Sequence, residues 1–295
     1  MRPILERVGR GEVLLADGAM GTQLMARGLK AGECPEALNL DRPDVVASVS
    51  ADYAAAGADI VLTNTFGGSP LKLALYGLEG QTEAINAAAV AAARRGAGAG
   101  VYVAASCGPT GRMLQPYGDT PPAAVAAAFA RQLAALAAAG VDLIVVETMT
   151  DLAEAVLAVA AARAAAPGVP VAATMTFDVT PNGFFTIMGV DIPRAVRELA
   201  AAGAHILGSN CGVGIEPMVA VAAELRRATD RPLLVQANAG LPQMRDGAPV
   251  WPETPDVYAG RAAALPALGV GIIGGCCGTA PAHIAALRRM LDAGR

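Results

Sequence analysis

The sequence predicts a single (β/α)₈ barrel that extends over residues 1–295. Eight short apolar runs recur along the chain, and each precedes a longer, often alanine-rich stretch with a helical pattern. The runs are too apolar for a sheet with one exposed face. Continuous apolar runs of this kind are typical of buried parallel strands. Eight such units in 295 residues fit this fold, whose usual size is about 250 residues. We therefore expect the functional site at the carboxyl ends of the strands.

The predicted strands can be placed one by one. In chain order they are residues 13–16, 58–62, 101–105, 143–146, 171–175, 205–208, 233–236 and 270–273. A doubly wound open sheet is the alternative, but no G-x-G-x-x-G follows the first strand to support a dinucleotide fold. Segments 109–122 and 238–255 are predicted to be long loops, which usually serve function or act as lids.

Polar residues and glycines gather where the predicted strands end. The segments that follow the eight strands are, in order, DGAMGT from Asp17, TNTFG from Thr63, SCGPT from Ser106, ETM from Glu147, TFD from Thr176, NCG from Asn210, NAG from Asn238 and CCGT from Cys276. Ordinary turn chemistry explains many of the glycines and asparagines. It does not explain Cys211, Cys276 and Cys277 on two of these segments together with the carboxylates of Asp17 and Glu147 on two others.

The composition excludes several classes of protein. Hydrophobic residues make up 54% and charged residues 16% of the chain, so a large core is available and disorder is not expected. No apolar run reaches the roughly 20 residues of a membrane span, and the N-terminus has no apolar signal region. A net charge of −4 without a basic cluster argues against nucleic acid. An odd count of five cysteines fits a reduced, cytoplasmic chain.

Three cysteines form a candidate metal site. Cys276 and Cys277 follow the eighth strand and Cys211 follows the sixth, so only one strand separates their loops. Adjacent cysteines do not readily form a disulfide with each other. Three thiolates without a fourth protein ligand are typical of a catalytic zinc site with one open position. The alternative is that they are small buried hydrophobic residues; Cys34 and Cys107 we interpret in that structural way.

Two carboxylates and one turn form a candidate amino-acid site. Asp17 and Glu147 end apolar strands, where a carboxylate is costly unless a cation pairs with it. A substrate ammonium is one such cation, and an internal arginine is the alternative. The backbone N–H groups of the glycine-rich turn after Asp17 are suited to a carboxylate. His205 and His283 lie outside this region, so we expect a metal rather than a general base to activate a nucleophile.

The motifs DGAMGT, NTFG, ET, NCG and GGCCGT together resemble the zinc-dependent homocysteine S-methyltransferases, from about Asp17 to His283. The resemblance implies zinc (Zn²⁺) held by Cys211, Cys276 and Cys277, with the homocysteine sulfur as fourth ligand. It also implies that Asp17, Glu147 and the backbone of Ala19 and Met20 hold the amino acid. The residues predicted to bind substrate are Asp17, Gly18, Ala19, Met20, Thr22, Asn64, Glu147, Asn210 and Asn238. For the three asparagines, turn geometry is the alternative.

Within that family, NTFGGSPLKL and ETMTD are similar to the homocysteine module of cobalamin-dependent methionine synthase. The betaine-using branch has a tyrosine where this chain has Thr148, and a cationic donor favours an aromatic cage. Aromatic residues make up 4% of the chain, with Trp251 its one tryptophan. The corrinoid-ligand motif Asp-x-His-x-x-Gly is absent from the sequence. The resemblance implies methylcobalamin as the donor, and without this motif we expect it to arrive free or on a separate corrinoid protein.

Two alternatives to this interpretation stay open. One keeps homocysteine as the acceptor and takes the methyl group from S-methylmethionine or a betaine-type donor. The other is a subunit that binds zinc and homocysteine without catalysing a reaction and serves a larger complex.

Overall fold

The computed structural model describes residues 1–245 and 248–294 and contains a barrel of eight parallel strands. The strands are β1 (Leu14–Leu15), β2 (Ile60–Leu62), β3 (Tyr102–Cys107), β4 (Leu143–Met149), β5 (Val171–Met175), β6 (Asp178–Thr180), β7 (Gly183–Phe185), β8 (Ile206–Gly214), β9 (Leu233–Asn238), β10 (Gln243–Arg245), β11 (Ala248–Val250) and β12 (Val270–Gly275). The helices are α1 (Ile4–Gly9), α2 (Met20–Ala26), α3 (Leu38–Asp41), α4 (Pro43–Ala55), α5 (Pro70–Leu73), α6 (Thr82–Ala97), α7 (Pro122–Ala138), α8 (Leu152–Ala165), α9 (Ile192–Ala202), α10 (Ile215–Ala228), α11 (Pro255–Ala262) and α12 (Pro281–Ala293). Short 3₁₀ helices cover Pro35–Ala37, Ala74–Tyr76, Glu79–Gln81 and Pro266–Leu268.

The barrel strands neighbour one another in the order β1, β12, β9, β8, β5, β4, β3, β2, and all of these pairs are parallel. A parallel bridge between Ala16 and Ile60 joins β1 to β2, and Asp17 N–H donates to Ile60 O at 2.9 Å. The sheet therefore returns to its first strand, as the predicted (β/α)₈ barrel requires.

The core has an inner and an outer part. Alternate strand residues such as Leu14, Ile60 and Val145 fill the barrel interior, and the others pack outward against the helices. Parallel strands that are buried on both faces must be apolar throughout, which explains the unbroken apolar runs. Helix α1 lies across the amino ends of the strands, where Ile4 joins the interior cluster and is 2% exposed.

Local signals explain where several helices begin. Proline occupies the first position of α4, α7, α11 and α12, where its missing N–H has no helical partner to lose. Asp151 and Asp191 cap α8 and α9 by accepting the N–H groups of Ala153 and Arg194, both at 2.8 Å. These starts set the length of the loops between each strand and its helix.

All eight predicted strands are confirmed, but β3, β4, β8, β9 and β12 extend beyond their predicted ends, β4 and β8 the furthest. Strand β4 continues to Met149 and β8 to Gly214, so Glu147, Asn210 and Cys211 belong to strands rather than to loops. Both extensions contain a shift in strand register, between Val146 and Met149 and between Asn210 and Gly214. Such irregularities re-aim side chains next to active sites.

The loops carry more structure than the sequence predicted. Hairpin β6–β7 follows β5, and β10–β11 lies within the predicted loop 238–255, whose residues 246 and 247 lie outside the described part of the chain. His205 precedes β8 and its Nδ1 accepts Val171 N–H, whereas His283 caps the start of α12, so both lie outside the candidate site as expected. No helix in the described residues is long and apolar enough to cross a membrane.

Candidate metal centre and substrate site

The three predicted metal ligands meet at the carboxyl-terminal face of the barrel. Cys211 lies on β8, and Cys276 and Cys277 follow β12 directly. Their Sγ atoms all lie within 4.8 Å of one another, and the Sγ atoms of Cys211 and Cys277 are 3.8 Å apart. All three residues are partly buried. Cys34 and Cys107 are buried elsewhere, and Cys107 Sγ lies 3.5 Å from Gln132 Oε1.

The loop that carries Cys276 and Cys277 is fixed by its neighbours. Cys276 N–H donates to Ala237 O at 2.7 Å, and Cys277 O accepts Ala239 N–H at 3.0 Å, which ties both cysteines to the end of β9. Gly278 has a φ of +79°, and a Cβ there would lie 2.0 Å from Trp251 Cγ. Only glycine fits this backbone and this contact. The glycine after the two cysteines therefore lets Trp251 pack directly against the backbone of this loop.

Hydrogen bonds among the three thiols shift their pKa values in opposite directions. Hydrogen bonds donated by Cys276 and Cys277 lower the pKa of Cys211 to about 3. The same bonds to Cys211 raise the pKa of Cys276 well above its usual range and that of Cys277 to about 11. The three thiols thus form one hydrogen-bonded group in which Cys211 is the most acidic.

Backbone strain marks two positions in this region. Thr148 and Cys211 both have a φ of 60°, and they are the two non-glycine residues with positive φ in the described chain. This left-handed region is disfavoured for residues with a Cβ, above all for a β-branched threonine. Strained residues persist where surrounding contacts fix them, and they cluster at functional sites.

The two predicted carboxylates are buried without a cationic partner. Asp17 is 1% and Glu147 8% exposed, and neither forms an ion pair with any described residue. Asp17 Oδ2 accepts Leu62 N–H at 2.8 Å, while its Oδ1 has no partner. Ser106 Oγ donates to Glu147 Oε1. The internal salt bridge considered as an alternative for Glu147 is absent from the described residues.

Burial controls the protonation of both carboxyl groups. It raises the pKa of Glu147 to about 7, with a further contribution from the negative charge of Cys211, while the Ser106 hydrogen bond acts in the opposite direction. Burial also raises the pKa of Asp17 well above its usual range; the Leu62 N–H opposes this and the charge of Glu147 adds to it. A positive charge between the two groups would favour their ionised forms.

A cavity of about 390 Å³ opens onto the three cysteines Cys211, Cys276 and Cys277. Its walls include Gly18, Ala19, Met20, Thr22, Asn64, Glu147, Cys211, Cys276 and Cys277 from the predicted site. The predicted residues Asp17, Asn210 and Asn238 are not among the lining residues and lie buried around it. No lysine, arginine or histidine lines the cavity among the described residues. The cavity is therefore acidic and offers no protein cation.

The hydrogen bonds of the remaining predicted residues define their surroundings. Asn64 Nδ2 donates to Pro35 O at 2.7 Å and to Asn39 Oδ1 at 3.0 Å, so its donors hold the β2 loop to α3 and to the 3₁₀ helix before it. Asn238 helps to lower the pKa of Cys211, and its own Oδ1 lacks a partner. Ala19 N–H donates to Thr279 Oγ1 at 3.2 Å. The free N–H groups of this turn are accordingly those of the first turn of α2, which lack helical acceptors.

Several residues of the cavity wall were not assigned to the site from the sequence, among them three polar residues and one aromatic residue. Ser106 holds Glu147, Gln236 is 3% exposed with an unpartnered Oε1, and Glu36 accepts Gly67 N–H at 2.6 Å. Phe66 is 39% exposed at the same cavity. The position of Ser106 at the end of β3 was a usable signal. The inward direction of Gln236 follows from alternation along β9, which an unbroken apolar run conceals.

The cluster has the donor set and the spacing for zinc. Tetrahedral zinc with Zn–S bonds of about 2.3 Å requires sulfur atoms about 3.8 Å apart. The Cys211–Cys277 separation of 3.8 Å meets this value. Three sulfur donors beside an open cavity fit a site with one exchangeable position, and soft thiolates favour zinc over magnesium or calcium.

Comparisons with known proteins agree with this geometry. The family model described as homocysteine S-methyltransferase matches residues 14–291. The chain is 35% identical to methionine synthase from Mycobacterium tuberculosis (strain ATCC 25618 / H37Rv), over 92% of this chain and 24% of that protein. It is 33% identical to methionine synthase from Mycobacterium leprae (strain TN), with the same coverage. The chain thus spans about a quarter of the length of these relatives.

A solved structure matches the chain almost from end to end. The metallated form of the homocysteine methyltransferase MmuM from Escherichia coli superposes with a TM-score of 0.80 and 28% identity, covering 98% of this chain and 99% of that one. Its apo form gives a TM-score of 0.73 at 28% identity, covering 95% and 96%. Taken with the match of the family model over residues 14–291, these similarities lead to one conclusion. The chain belongs to the homocysteine S-methyltransferase family.

Proposed function

We propose that this chain catalyses the zinc-dependent transfer of a methyl group to the thiol of homocysteine, giving methionine. The observation that carries the proposal is the juxtaposition in one cavity of three converging thiols and a buried carboxylate without a protein cation, with a second such carboxylate beside it. The thiols select a metal and through it a sulfur ligand, whereas the carboxylates select an ammonium group. Homocysteine carries both a thiol and an ammonium.

Asp17 and Glu147 would bind the ammonium group. Each is buried and lacks an ion pair, so each gains a partner when a positively charged ligand enters. The carboxylate of the amino acid would lie at the N–H groups of Met20, Gly21 and Thr22 in the first turn of α2. The amino acid is thereby held at both of its charged ends, which fixes the direction of its side chain.

Cys211, Cys276 and Cys277 would hold the metal. When bound there, zinc would supply a fourth coordination position at which a thiol sulfur is kept as thiolate at neutral pH. The proton of the thiol leaves to solvent. A lone pair of the sulfur then forms the bond to the methyl carbon, while the bond from methyl to donor breaks and its electron pair stays with the donor. Positioning and thiolate formation are the protein's contributions to this step.

For the methyl donor we propose methylcobalamin. Support comes from the resemblance of NTFGGSPLKL and ETMTD to cobalamin-dependent methionine synthase and from the 35% identity to a methionine synthase. The donor would arrive free or on a separate corrinoid protein.

A sulfonium or betaine donor is the second candidate, and the cavity supplies a reason for it. Glu36, Glu147 and the cysteines make its walls acidic, Phe66 is exposed on it, and Trp251 packs against Gly278 beside Cys277. Acidic and aromatic groups attract cations. The homocysteine methyltransferase MmuM, which this chain matches over 99% of its length, is a relative of similar size.

A donor panel tests the proposal. Zinc-loaded protein and homocysteine would be incubated separately with methylcobalamin, S-methylmethionine and glycine betaine, and methionine would be quantified, with Cys276→Ser protein as the blank. Turnover with methylcobalamin alone supports the main proposal, and turnover with S-methylmethionine or betaine supports the second candidate. Homocysteine binding without turnover points to a binding subunit or a missing carrier protein. Absence of homocysteine binding overturns the proposal.

A further inference from the structure

The side-chain amide of Asn210 contacts both halves of the site. Asn210 is completely buried on β8, one residue before the metal ligand Cys211. Its Oδ1 accepts Thr148 N–H at 2.8 Å and Thr174 Oγ1 at 2.7 Å. Because a backbone N–H can only donate, this contact fixes which end of the amide faces Thr148.

The amide nitrogen faces the functional groups. Nδ2 lies 2.8 Å from Thr148 Oγ1, 3.5 Å from Glu147 Oε2 and 3.8 Å from Cys276 Sγ. One N–H of the amide therefore points to the Thr148 hydroxyl, and the other points between the Glu147 carboxylate and the Cys276 thiol. Ser106 holds the other oxygen of Glu147, so both oxygens of that carboxylate have a fixed neighbour.

The same amide stabilises the strained backbone. Thr148, with a φ of 60°, has both its N–H and its hydroxyl bound to Asn210. Cys211, also with a φ of 60°, follows Asn210 directly, and Asn210 O accepts Thr176 Oγ1 at 3.0 Å. Asn210 thus holds the turn that aims Glu147 and, through its own backbone, the turn that aims Cys211.

We propose that Asn210 is a positioning residue that couples the metal site to the ammonium-binding carboxylate. Its loss weakens metal binding and amino-acid binding together, although the amide forms neither a bond to the metal nor a wall of the cavity. The amino-acid half of this inference rests on the proposed function, whereas the metal half does not. Partners behind a metal ligand typically change metal affinity or activity by about ten- to a hundredfold when removed.

The test is Asn210→Ala, with Ser209→Ala as its matched control. Ser209 is the preceding residue on β8, is equally buried, and its hydroxyl has no partner in the structure. Zinc affinity would be measured by competition with a chromophoric chelator, homocysteine affinity by calorimetry, and the thiolate environment by the absorption spectrum of the Co²⁺-loaded protein. We expect Asn210→Ala to lower zinc affinity about tenfold or more, weaken homocysteine binding and shift the Co²⁺ spectrum. Ser209→Ala leaves all three unchanged.

A double-mutant cycle identifies the route of the coupling. Thr148→Gly removes both the hydroxyl partner and the cost of the left-handed backbone. In that background Asn210→Ala should weaken homocysteine binding less than it does in the wild-type protein. Equal losses in both backgrounds contradict a route through Thr148.

Other outcomes separate the inference from the proposed function. Folded Asn210→Ala protein with wild-type zinc affinity and Co²⁺ spectrum overturns the inference. If the wild-type protein does not bind homocysteine, the proposed function fails, and the zinc and cobalt measurements still decide the metal half. If Asn210→Ala does not fold, Thr174→Val removes one contact to Oδ1, and unchanged zinc affinity in that variant overturns the inference.

Discussion

At both ends of the barrel, an aspartate accepts a hydrogen bond from a backbone N–H group of a neighbouring strand. At the amino end, Asp59 accepts Leu15 N–H at 2.9 Å and Asp142 accepts Val103 N–H at 2.8 Å. At the carboxyl end, Asp17 accepts Leu62 N–H at 2.8 Å. The three side chains thus help to hold adjacent strands in register in the same way.

The two ends differ in the cations that accompany these carboxylates. Arg288 lies 3.3 Å from Asp59, and Arg94 lies 2.7 Å from Asp142. Neither Asp17 nor Glu147 has an arginine or lysine partner among the residues described. At the amino end each aspartate has an arginine partner within the protein. At the carboxyl end the two carboxylates have none in the described part of the chain, so their cation has to come from a ligand. Removing a charge should therefore reduce stability at one end and ligand binding at the other.

The largest effect is expected for the metal ligands. Cys276→Ser should abolish stoichiometric zinc binding and reduce methyl transfer by more than about a hundredfold, beyond the usual cost of losing a partner behind a ligand. The barrel should stay folded, because its core does not include the cluster. Metal analysis measures the bound zinc, an activity assay the methyl transfer and circular dichroism the fold. Cys107→Ala is the control and should keep its zinc. A folded Cys276→Ser protein with full turnover would remove the metal centre from the function.

The next largest effect compares the two ends directly. Glu147→Gln keeps the shape but removes the charge, so homocysteine should bind about ten- to a hundredfold more weakly, the range for a lost charged hydrogen bond. Asp142→Asn at the amino end should leave that affinity unchanged and lower the free energy of unfolding by about 0.5–1.5 kcal/mol. Calorimetry and urea denaturation of both variants test the pair. Weaker homocysteine binding in Asp142→Asn would break the proposed division between the ends.

A smaller effect concerns stability without ligand. The pKa of Asp17 is raised in the folded protein, mainly by burial. As pH rises, the unfolded chain loses the Asp17 proton near the usual aspartate pKa of about 3.9, whereas the folded state still keeps it. Stability from the protonated form is complete below that value and is lost as pH rises through the folded pKa. Asp17→Asn avoids this loss and should be about 1–3 kcal/mol more stable than wild type at high pH.

Urea denaturation of the zinc-loaded, ligand-free proteins at pH 5.5 and 8.5 checks this expectation. The stability advantage of Asp17→Asn should be larger at the higher pH. Absence of any advantage at pH 8.5 would show that the Asp17 charge is not a cost to the folded state.

The smallest effect is a shift of a pH profile. Ser106 lowers the pKa of Glu147 by donating to its carboxylate, against the burial that raises it to about 7. Because the ionised form binds the ammonium group, kcat/KM should fall as pH falls through that pKa. Ser106→Ala raises the pKa further, so the fall should begin about half a unit to one unit higher. The homocysteine thiol is the same in both enzymes, so an unmoved profile contradicts the role assigned to Glu147.

The fold could be predicted because its signals are local and repeated. Eight apolar runs gave the eight barrel strands, and the residue types after them placed the site at the correct end. The three cysteines could be grouped because β8 and β12 are separated only by β9. Strand number and strand order were sufficient for that inference.

The remaining part of the site depends on contacts that no local pattern encodes. The partners Asn210 and Glu147 are 63 positions apart, and Ala19 and Thr279 are 260 positions apart. The extension of β4 and β8 rests on left-handed residues at Thr148 and Cys211, where residue type alone predicts ordinary backbone. Ser106 and Gln236 lie in apolar strands, and their direction depends on the barrel's register.

Helix α1, with Ile4 set into the interior of the barrel, bears on the order of events in turnover. With the amino end filled and the interior packed, the proposed amino acid and methyl carrier would both have to use the mouth at the carboxyl end. Under the proposed function, the amino acid would then enter before the carrier and the methylated product would leave after it. Release of the carrier would then limit the rate of turnover, and a carrier that bound first would block the amino acid.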